Sequence, residues 1–276
     1  MASAIVLGLL IFGVVVGPWF WPVAINDIDF SATLQGPSLA HPFGTDDLGQ
    51  DLLARMMYGG RISLAVGLAA MVVATCVGVV VGALAGMSRK YADPFLMWVT
   101  DLFLSLPQLP LLLLIIYLFR EQLKAVFGVE GGVFVLIVVV IGGLRWMPVA
   151  RLVRAQFLSL REKEFVDAAR SVGVPSGRII FRHILPNTVG VIIVSATLAM
   201  SSAILLESAL SFLGFGVQAP NTSLGQLINN YRSAMGPRPW LFWWPGLFIV
   251  AIALAVNFIG DGLRDAFDPR QNRQKA

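Results

Sequence analysis

The chain has almost none of the side chains that form disulfides or hold metal ions. It contains one cysteine, Cys76, and two histidines, His41 and His183. Cys76 lies in an apolar run and has no second cysteine to pair with, so it is expected to be a small core residue. The two histidines are predicted on opposite sides of a membrane. A metal site built from this chain alone is therefore not expected.

The motifs of nucleotide-driven motors and hydrolases are missing too. There is no Gly-x-x-x-x-Gly-Lys-Ser/Thr phosphate loop, no H-E-x-x-H and no G-x-S-x-G. Segment 173–177 begins and ends with glycine, but it lacks the spacing and the lysine of a phosphate loop. The chain is therefore expected to be neither an enzyme nor a nucleotide-binding motor, and to hold no cofactor of its own.

Charged residues are scarce, which excludes an ordinary soluble domain. They make up 13% of the sequence, against 57% hydrophobic residues, whereas soluble domains are about a quarter charged. The net charge of +4 could suggest nucleic acid. However, no basic groove with interleaved aromatic residues is present, and the basic residues sort by membrane side, so nucleic-acid binding is not expected. The composition predicts a membrane protein, and its apolar segments, described next, predict an all-α fold in one domain spanning residues 1–276.

Six segments are long and apolar enough to cross a bilayer core of about 30 Å, which takes roughly 20 helical residues. The first could be mistaken for a signal peptide, but no Lys or Arg precedes it and no small-x-small cleavage site follows. The predicted spans are 4–24, 62–87, 95–119, 131–150, 188–215 and 240–260.

The distribution of Lys and Arg predicts the orientation of these spans. Of the 20 basic residues, 13 lie on the side that the C-terminus shares with segment 151–187. Because cytoplasmic loops are enriched in Lys and Arg, both termini and the loop 151–187 are predicted in the cytoplasm. The loops 25–61 and 216–239 are predicted outside, where tryptophans end the first span and begin the last.

Two of the spans carry features of close packing or kinking. In span two, Ala70, Ala74, Gly78, Gly82 and Gly86 recur every four residues, which makes a smooth stripe for another helix. Packing within this chain and packing against a second subunit are both compatible with the stripe. In span three, Pro107 and Pro110 are expected to kink the helix, because proline removes a backbone donor.

Charged residues inside predicted spans are candidates for a role in the translocation pathway, since they are costly in lipid. Asp101 could line the pathway or pair with Arg145 or Arg151 and hold helices together. Glu207 could line the outer vestibule and attract a substrate ammonium group, or it could hydrogen-bond a neighbouring helix.

The cytoplasmic loop contains a charged, helix-competent segment, residues 160–187, which we call the handle. Ser159 to Glu162 has the S-x-x-E form of a capping box, which predicts that a first short helix follows. Gly173 is expected to end that helix, and Pro175 suits the first turn of a second one. Pro186 is expected to return the chain to span five.

The handle resembles the cytoplasmic signature of the integral membrane subunits of binding-protein-dependent ABC importers, E-A-A-x-x-x-G followed by I-x-L-P. Here it appears as Asp167-Ala168-Ala169, Gly173 and Leu185-Pro186. Asp167 replaces glutamate, and His183 occupies the isoleucine position. The run from Arg182 to Asn187 is similar to the dipeptide, oligopeptide and nickel permease branch.

Five further segments resemble that branch, in order along the chain: 41–51, 101–107, 150–154, 210–216 and 260–265. In the first of these, Gln50 stands where arginine is commoner. The resemblance implies the type I importer permease fold with six membrane helices.

The resemblance also implies that the handle docks on a cytoplasmic ATPase. The coupling residues would be Glu164, Asp167, Ala168, Ala169, Gly173, Arg182, His183, Leu185 and Pro186. Small residues permit close approach, while Phe165, Val166 and Val172 can bury apolar surface. An amphipathic helix lying on lipid headgroups is the alternative for such a composition.

The implied partners are a second, similar but non-identical permease subunit that forms a heterodimer with this chain, two ATPases that bind ATP and Mg²⁺, and an extracytoplasmic substrate-binding protein, in the inner membrane of a bacterium. Peptides are the leading cargo, with a nickel chelate or another small solute as the alternative. An ion-coupled secondary transporter would need a titrating relay at mid-membrane, and the chain offers only scattered charges near the span ends.

Overall fold

The residues that the structure describes fold into a bundle of ten α-helices. The computed structural model describes residues 2–88, 90–218 and 221–267. The helices are α1 Ala2–Phe20, α2 Leu52–Met87, α3 Ala92–Ser105, α4 Gln108–Gly143, α5 Trp146–Arg161, α6 Glu164–Ser171, α7 Ser176–Ile179, α8 Leu185–Phe212, α9 Leu224–Asn230 and α10 Pro239–Phe267. Single 3₁₀ turns cover Phe30–Ala32 and Arg232–Ala234, and a π-helical turn, Ile180–Ile184, joins α7 to α8. Arg89, Arg270, Arg273 and Lys275, which entered the orientation count, lie outside the described residues.

Five helical segments of the described chain are long and apolar enough to cross a membrane: Ser3–Phe20, Leu52–Met87, Gln108–Arg161, Ser176–Phe212 and Pro239–Ala266. The third has 54 residues, far more than the roughly 20 that one crossing needs.

That third segment folds back on itself at Gly128, whose φ of 77° and ψ of 171° are not helical. A Cβ on Gly132 would lie 2.6 Å from the backbone nitrogen of Lys124, although eight residues of straight helix span about 12 Å. The side chain of Gln108 also reaches the carbonyl of Leu144 at 3.4 Å, from the other end of α4. Helix α4 is therefore a helical hairpin.

Several predicted boundaries are wrong. Helix α2 starts at Leu52, ten residues before the predicted start, because Asp51 caps it by accepting a hydrogen bond from the Ala54 amide at 2.8 Å. Predicted span 95–119 is broken at Leu106 and Pro107, so the expected proline kink is confirmed as a full break. Predicted span 131–150 is broken at Leu144 and Arg145.

The small-residue stripe of α2 packs against α5 of the same chain. A Cβ on Gly78 would meet Val149, one on Gly82 would meet Val153, and one on Gly86 would lie 3.1 Å from the carbonyl of Arg154. Of the two packing partners left open by the sequence, the structure shows the intrachain one. Glycine allows α2 and α5 to approach this closely because it has no side chain to displace.

Candidate functional site

The handle is built on its own hydrophobic core at the end of α5 and α8. The buried side chains come from α5, α6, α7 and the π-helical turn: Val149, Val153, Phe157, Val166, Ala169, Ile179 and Ile184. Val166, Phe157 and Ile184 have no exposed surface. The handle is therefore fixed to the helix bundle by apolar packing.

Gly173 ends α6 as the sequence predicts. Its φ of +78° lies in the left-handed region that glycine adopts without strain. The Gly173 amide donates to the carbonyl of Arg170 at 2.9 Å, and the Val174 amide donates to the carbonyl of Ala169 at 3.0 Å. These bonds satisfy carbonyls that the end of the helix would otherwise leave unpaired. The chain can then turn sharply into α7.

The predicted capping box is wrong. Ser159 lies inside the last turns of α5, which continues to Arg161, and Glu162 follows it. Helix α6 starts only at Glu164, after Lys163, without a capping side chain. The S-x-x-E pattern marks the end of one helix here, because the apolar face of α5 continues through Leu160 into the handle core.

The two faces of α6 differ. Val166 and Ala169 point into the handle core, so they are not available to a partner protein. Phe165 and Val172 are 41% and 79% exposed, and Ala168 between them is exposed as well. Spacings of three and four residues place these three on one helical stripe. The handle therefore presents an apolar stripe outward, although the expectation that Val166 contributes to it is wrong.

The remaining predicted coupling residues lie on α6, on the π-helical turn and at the start of α8. Glu164 and Asp167 are exposed in the first turn of α6, and Asp167 pairs with Arg170 at 3.2 Å. Arg182 and Pro186 are exposed, whereas His183 and Leu185 are partly buried. The carbonyl of His183 accepts a hydrogen bond from Asn187 at 2.6 Å. All the predicted coupling residues thus lie in one compact unit, with Ala169 on its inner side.

Asp101 takes part in an interhelical ion pair. It lies 2.5 Å from a guanidinium nitrogen of Arg151 on α5, and Asp93 on the same helix pairs with Arg154. The prediction that Asp101 and Arg151 hold helices together is confirmed. Arg145, the other predicted partner, takes no part in this pair.

Glu207 does not line an open surface. It is completely buried, and its carboxylate accepts hydrogen bonds from Ser63 on α2 at 2.8 Å and from Ser211 at 2.7 Å. Its suggested place on the vestibule is wrong, and the alternative, a bond to a neighbouring helix, is what the structure shows. Hydroxyl donors make its burial tolerable.

At the other end of α2 and α8 lies a polar network that sequence reasoning missed. It belongs to what we call the polar cap, the described residues of segments 25–61 and 216–239. Buried Asp46 accepts hydrogen bonds from Arg55 at 2.6 Å and from the Tyr231 hydroxyl at 2.8 Å. Arg55 also donates to the Tyr231 oxygen at 3.0 Å and to the Gln50 side chain. Two segments far apart in sequence are tied together here.

Burial raises the pKa of Tyr231 well above its ordinary value, so the hydroxyl stays protonated and donates to Asp46. A second buried carboxylate, Asp51, accepts from the indole of Trp21 at 3.2 Å and lies 2.9 Å from the His41 ring. These contacts explain the motif at 41–51, which the sequence identified only by resemblance. The sequence feature that could have revealed this polar network is the spacing of Asp46, Asp51 and Arg55 around the start of a helix.

Among the described residues, no group of three or more His, Cys, Asp or Glu side chains could hold a metal ion. The polar cap contains acidic residues, but Asp46 and Asp51 already accept several hydrogen bonds each. The groups described so far form helix junctions and surfaces, and they do not resemble a reaction centre.

Comparison with known proteins identifies the family. Residues 78–273 match the family described as "Binding-protein-dependent transport system inner membrane component". The chain belongs to this family. The family is a transport permease component and not a catalytic subunit.

The similarity to individual relatives extends over nearly the whole of this chain. A Brucella suis protein named as a peptide permease is 43% identical over 96% of this chain and 85% of its own length. The oligopeptide transport system permease protein OppC of Haemophilus influenzae is 40% identical over 98% of this chain and 84% of its own. OppC of Mycobacterium tuberculosis is 39% identical over 98% of this chain and 89% of its own length.

A solved structure shows the same fold. The chain is similar to a chain of the MetNI methionine ABC transporter in an inward-facing conformation, with a TM-score of 0.60 and 18% identity. The match covers 79% of this chain and 96% of that one. The bundle is thus a permease fold of an ABC importer, and the protein is an integral membrane protein with several apolar helices.

Proposed function

We propose that this chain is one permease subunit of an ATP-driven, binding-protein-dependent importer of di- and oligopeptides. The family membership and the names of the relatives support the class and the cargo. The observation that carries the coupling role is the exposed stripe of Phe165, Ala168 and Val172 on a handle packed rigidly against α5 and α8.

The chain crosses the membrane six times in this proposal. The hairpin of α4 divides the 54-residue apolar segment into two crossings, one shared with α3 and one with α5. With six crossings, both termini lie on the same side as the handle, and the excess of Lys and Arg places that side in the cytoplasm.

The handle docks in a groove of a cytoplasmic ATPase. Its outward stripe buries apolar surface there, and the exposed Glu164, Asp167 and Arg182 around the stripe set the register by charge complementarity. When the ATPases bind ATP and Mg²⁺ and close, they move the handle. The motion passes to α5 and α8 because the handle core is continuous with both helices.

The polar cap serves as the platform for the substrate-binding protein. Its network holds segments 25–61 and 216–239 in a single arrangement, as a docking surface requires. A second, similar permease subunit completes the pathway. Asp101, exposed beside the break between α3 and α4, is the remaining pathway candidate on this chain.

The importer should be copurified with its ATPases and binding protein and reconstituted in proteoliposomes. Peptides presented by the binding protein are expected to stimulate ATP hydrolysis and to be taken up. Stimulation of ATP hydrolysis by a nickel chelate but not by peptides would show that the cargo is the nickel chelate. Uptake driven by an ion gradient with no ATPase present would contradict the proposal.

A further inference from the structure

A cavity of about 60 Å³ lies where two helices break at the same level of the bundle. Its lining comes from the α3–α4 break and the α4–α5 break, and it includes Phe103, Leu111, Met147 and Arg145. The Nε of Arg145 is buried and has no hydrogen-bond partner in the described residues. A guanidinium carries five N–H donors and is always charged, so a buried N–H that lacks a partner inside a membrane segment favours a ligand or water at that nitrogen.

The two acidic residues of α3 are already paired with other arginines. Asp101 pairs with Arg151, and Asp93 pairs with Arg154. No ion pair of Arg145 occurs within the part of the chain that the structure describes. An anion that binds Arg145 must therefore come from outside these helices.

The backbone around the cavity also favours an anion. Helix α4 begins after Pro107 and α5 begins after Arg145, and neither start has a capping side chain. The N-cap residue therefore offers no side-chain acceptor to the first amides of either helix, and these amides add backbone donors near the Arg145 side chain.

The break between α3 and α4 cannot face lipid. Residues 101–107 are all exposed on the chain, and Leu106 between the two helices is 40% exposed. Non-helical backbone at membrane depth is tolerated only against protein or beside a water-filled cavity, because lipid cannot satisfy its polar groups. The cavity therefore opens toward water or toward the partner subunit, which is where the proposed translocation pathway lies.

We propose that Arg145 binds a carboxylate of the transported peptide as the peptide passes this cavity, an inference that rests on the proposed function. Every unmodified peptide carries such a group at its C-terminus. A cavity of about 60 Å³ has room for a carboxylate, since one water needs only about 10–15 Å³ by this measure. The apolar lining of Phe103, Leu111 and Met147 accommodates the adjoining side chain.

The test compares a peptide with its C-terminal amide in the reconstituted importer. Both forms are first shown to bind the substrate-binding protein, which is then used at saturation. Arg145→Gln is expected to slow uptake of the free acid by about tenfold or more, because hydrogen bonds to a charged group are lost. Uptake of the amide should be unchanged, and Arg145→Lys should stay within about threefold of the wild type for both peptides.

Arg120→Gln is the matched control. Arg120 also has buried nitrogens without partners, but it lies on α4 outside this cavity. It should leave the ratio of acid to amide uptake at the wild-type value. Equal slowing of both peptides by Arg145→Gln would contradict the proposal and indicate an ion pair with the partner subunit or a lipid headgroup. No slowing of either peptide would also contradict it.

A second measurement does not depend on the Gln variant folding. In a Cys76→Ala background, Leu106→Cys should react with a charged, water-soluble thiosulfonate, and peptide-loaded binding protein with ATP should slow the reaction. A cysteine that never reacts would contradict access of solute to the cavity. If the wild-type importer moves no peptide at all, the proposed function fails instead, so the two failures are distinguishable.

Discussion

Both ends of the helix bundle contain an apolar core, but the polar cap adds a buried network of polar side chains that joins distant segments. In the polar cap, buried Asp46 and Tyr231 bond each other and the partly buried Arg55, and they join two segments distant in sequence. In the handle, the contacts between its helices are apolar, with Val166, Ile179 and Ile184 almost fully buried. Helices α2 and α8 run from one region to the other.

Polar networks and apolar cores differ in how strictly they fix the geometry of the groups that they join. Hydrogen bonds and ion pairs are directional, so a buried polar network fixes one geometry and is costly to leave partly unsatisfied. Apolar burial is not directional, and its free energy follows the area removed from water. The polar cap therefore suits a fixed docking platform. The handle suits a unit that is pushed as a whole and keeps its core while it moves.

The largest effect is expected from Asp46→Ala in the polar cap. This change removes the carboxylate that pairs with the Arg55 charge and accepts from the buried Tyr231 hydroxyl, which costs about 3–5 kcal/mol. Thermal unfolding in detergent and proteolysis of segment 25–61 would measure the loss. Hydrogen exchange of α6 should stay at its wild-type rate. A loss of protection at both ends would show that the two regions are not independent.

Tyr231→Phe is expected to cost about 1–3 kcal/mol, because it removes one donor to Asp46 and one acceptor for Arg55. The pH dependence has a definite sign. Burial raises the pKa of Tyr231 in the folded state, so its contribution is complete below the ordinary value of 10.0 and declines as the pH rises above it.

Stability measured from pH 8 to 11 should therefore fall more steeply in the wild type than in Tyr231→Phe. Identical slopes for the two proteins would contradict the buried position of this phenol.

Gly173→Val in the handle is expected to strain the chain by about 1–2 kcal/mol, because valine must adopt a positive φ. No neighbour lies within 4 Å of the added Cβ, so the effect is one of backbone conformation and not of crowding. Membrane insertion should be normal, while uptake per ATP hydrolysed falls.

Gly173→Asn is the control, since asparagine tolerates the left-handed region better. Normal uptake by Gly173→Val would contradict the importance of this turn.

The smallest effects on folding distinguish the two faces of α6. Val166→Ala removes buried methyl groups and should destabilise the handle by about 1.5 kcal/mol. Val172→Ala on the exposed stripe should change stability by less than about 0.5 kcal/mol. Hydrogen exchange of α6 would measure both.

For ATPase binding, Val172→Ala should have the larger effect and Val166→Ala the smaller one. The measurement is the affinity of the purified ATPase for the permease. If Val166→Ala weakened binding more than Val172→Ala, the exposed stripe would not be the docking face.

Local chemistry allowed part of the handle to be predicted from the sequence. Gly173 ends a helix through its own conformational freedom, and Pro107 breaks one because it lacks a donor. The Ser159–Glu162 pattern was misleading because the apolar face of α5 extends through it, and tertiary burial outweighs a weak cap signal. Glu207 was misplaced because its hydroxyl donor on α2 is 144 residues away in sequence.

The sequence by itself determined the membrane environment, the apolar segments and the helix ends at Gly173 and Pro107, since each depends on composition or on a few neighbouring residues. Tertiary structure alone decided which groups meet. It placed Val166 inside the handle, joined Asp46 to Tyr231 and left the Arg145 Nε beside a cavity without a partner among the described residues. Those outcomes depend on contacts between distant parts of the chain, and periodicity along one helix carries no information about them.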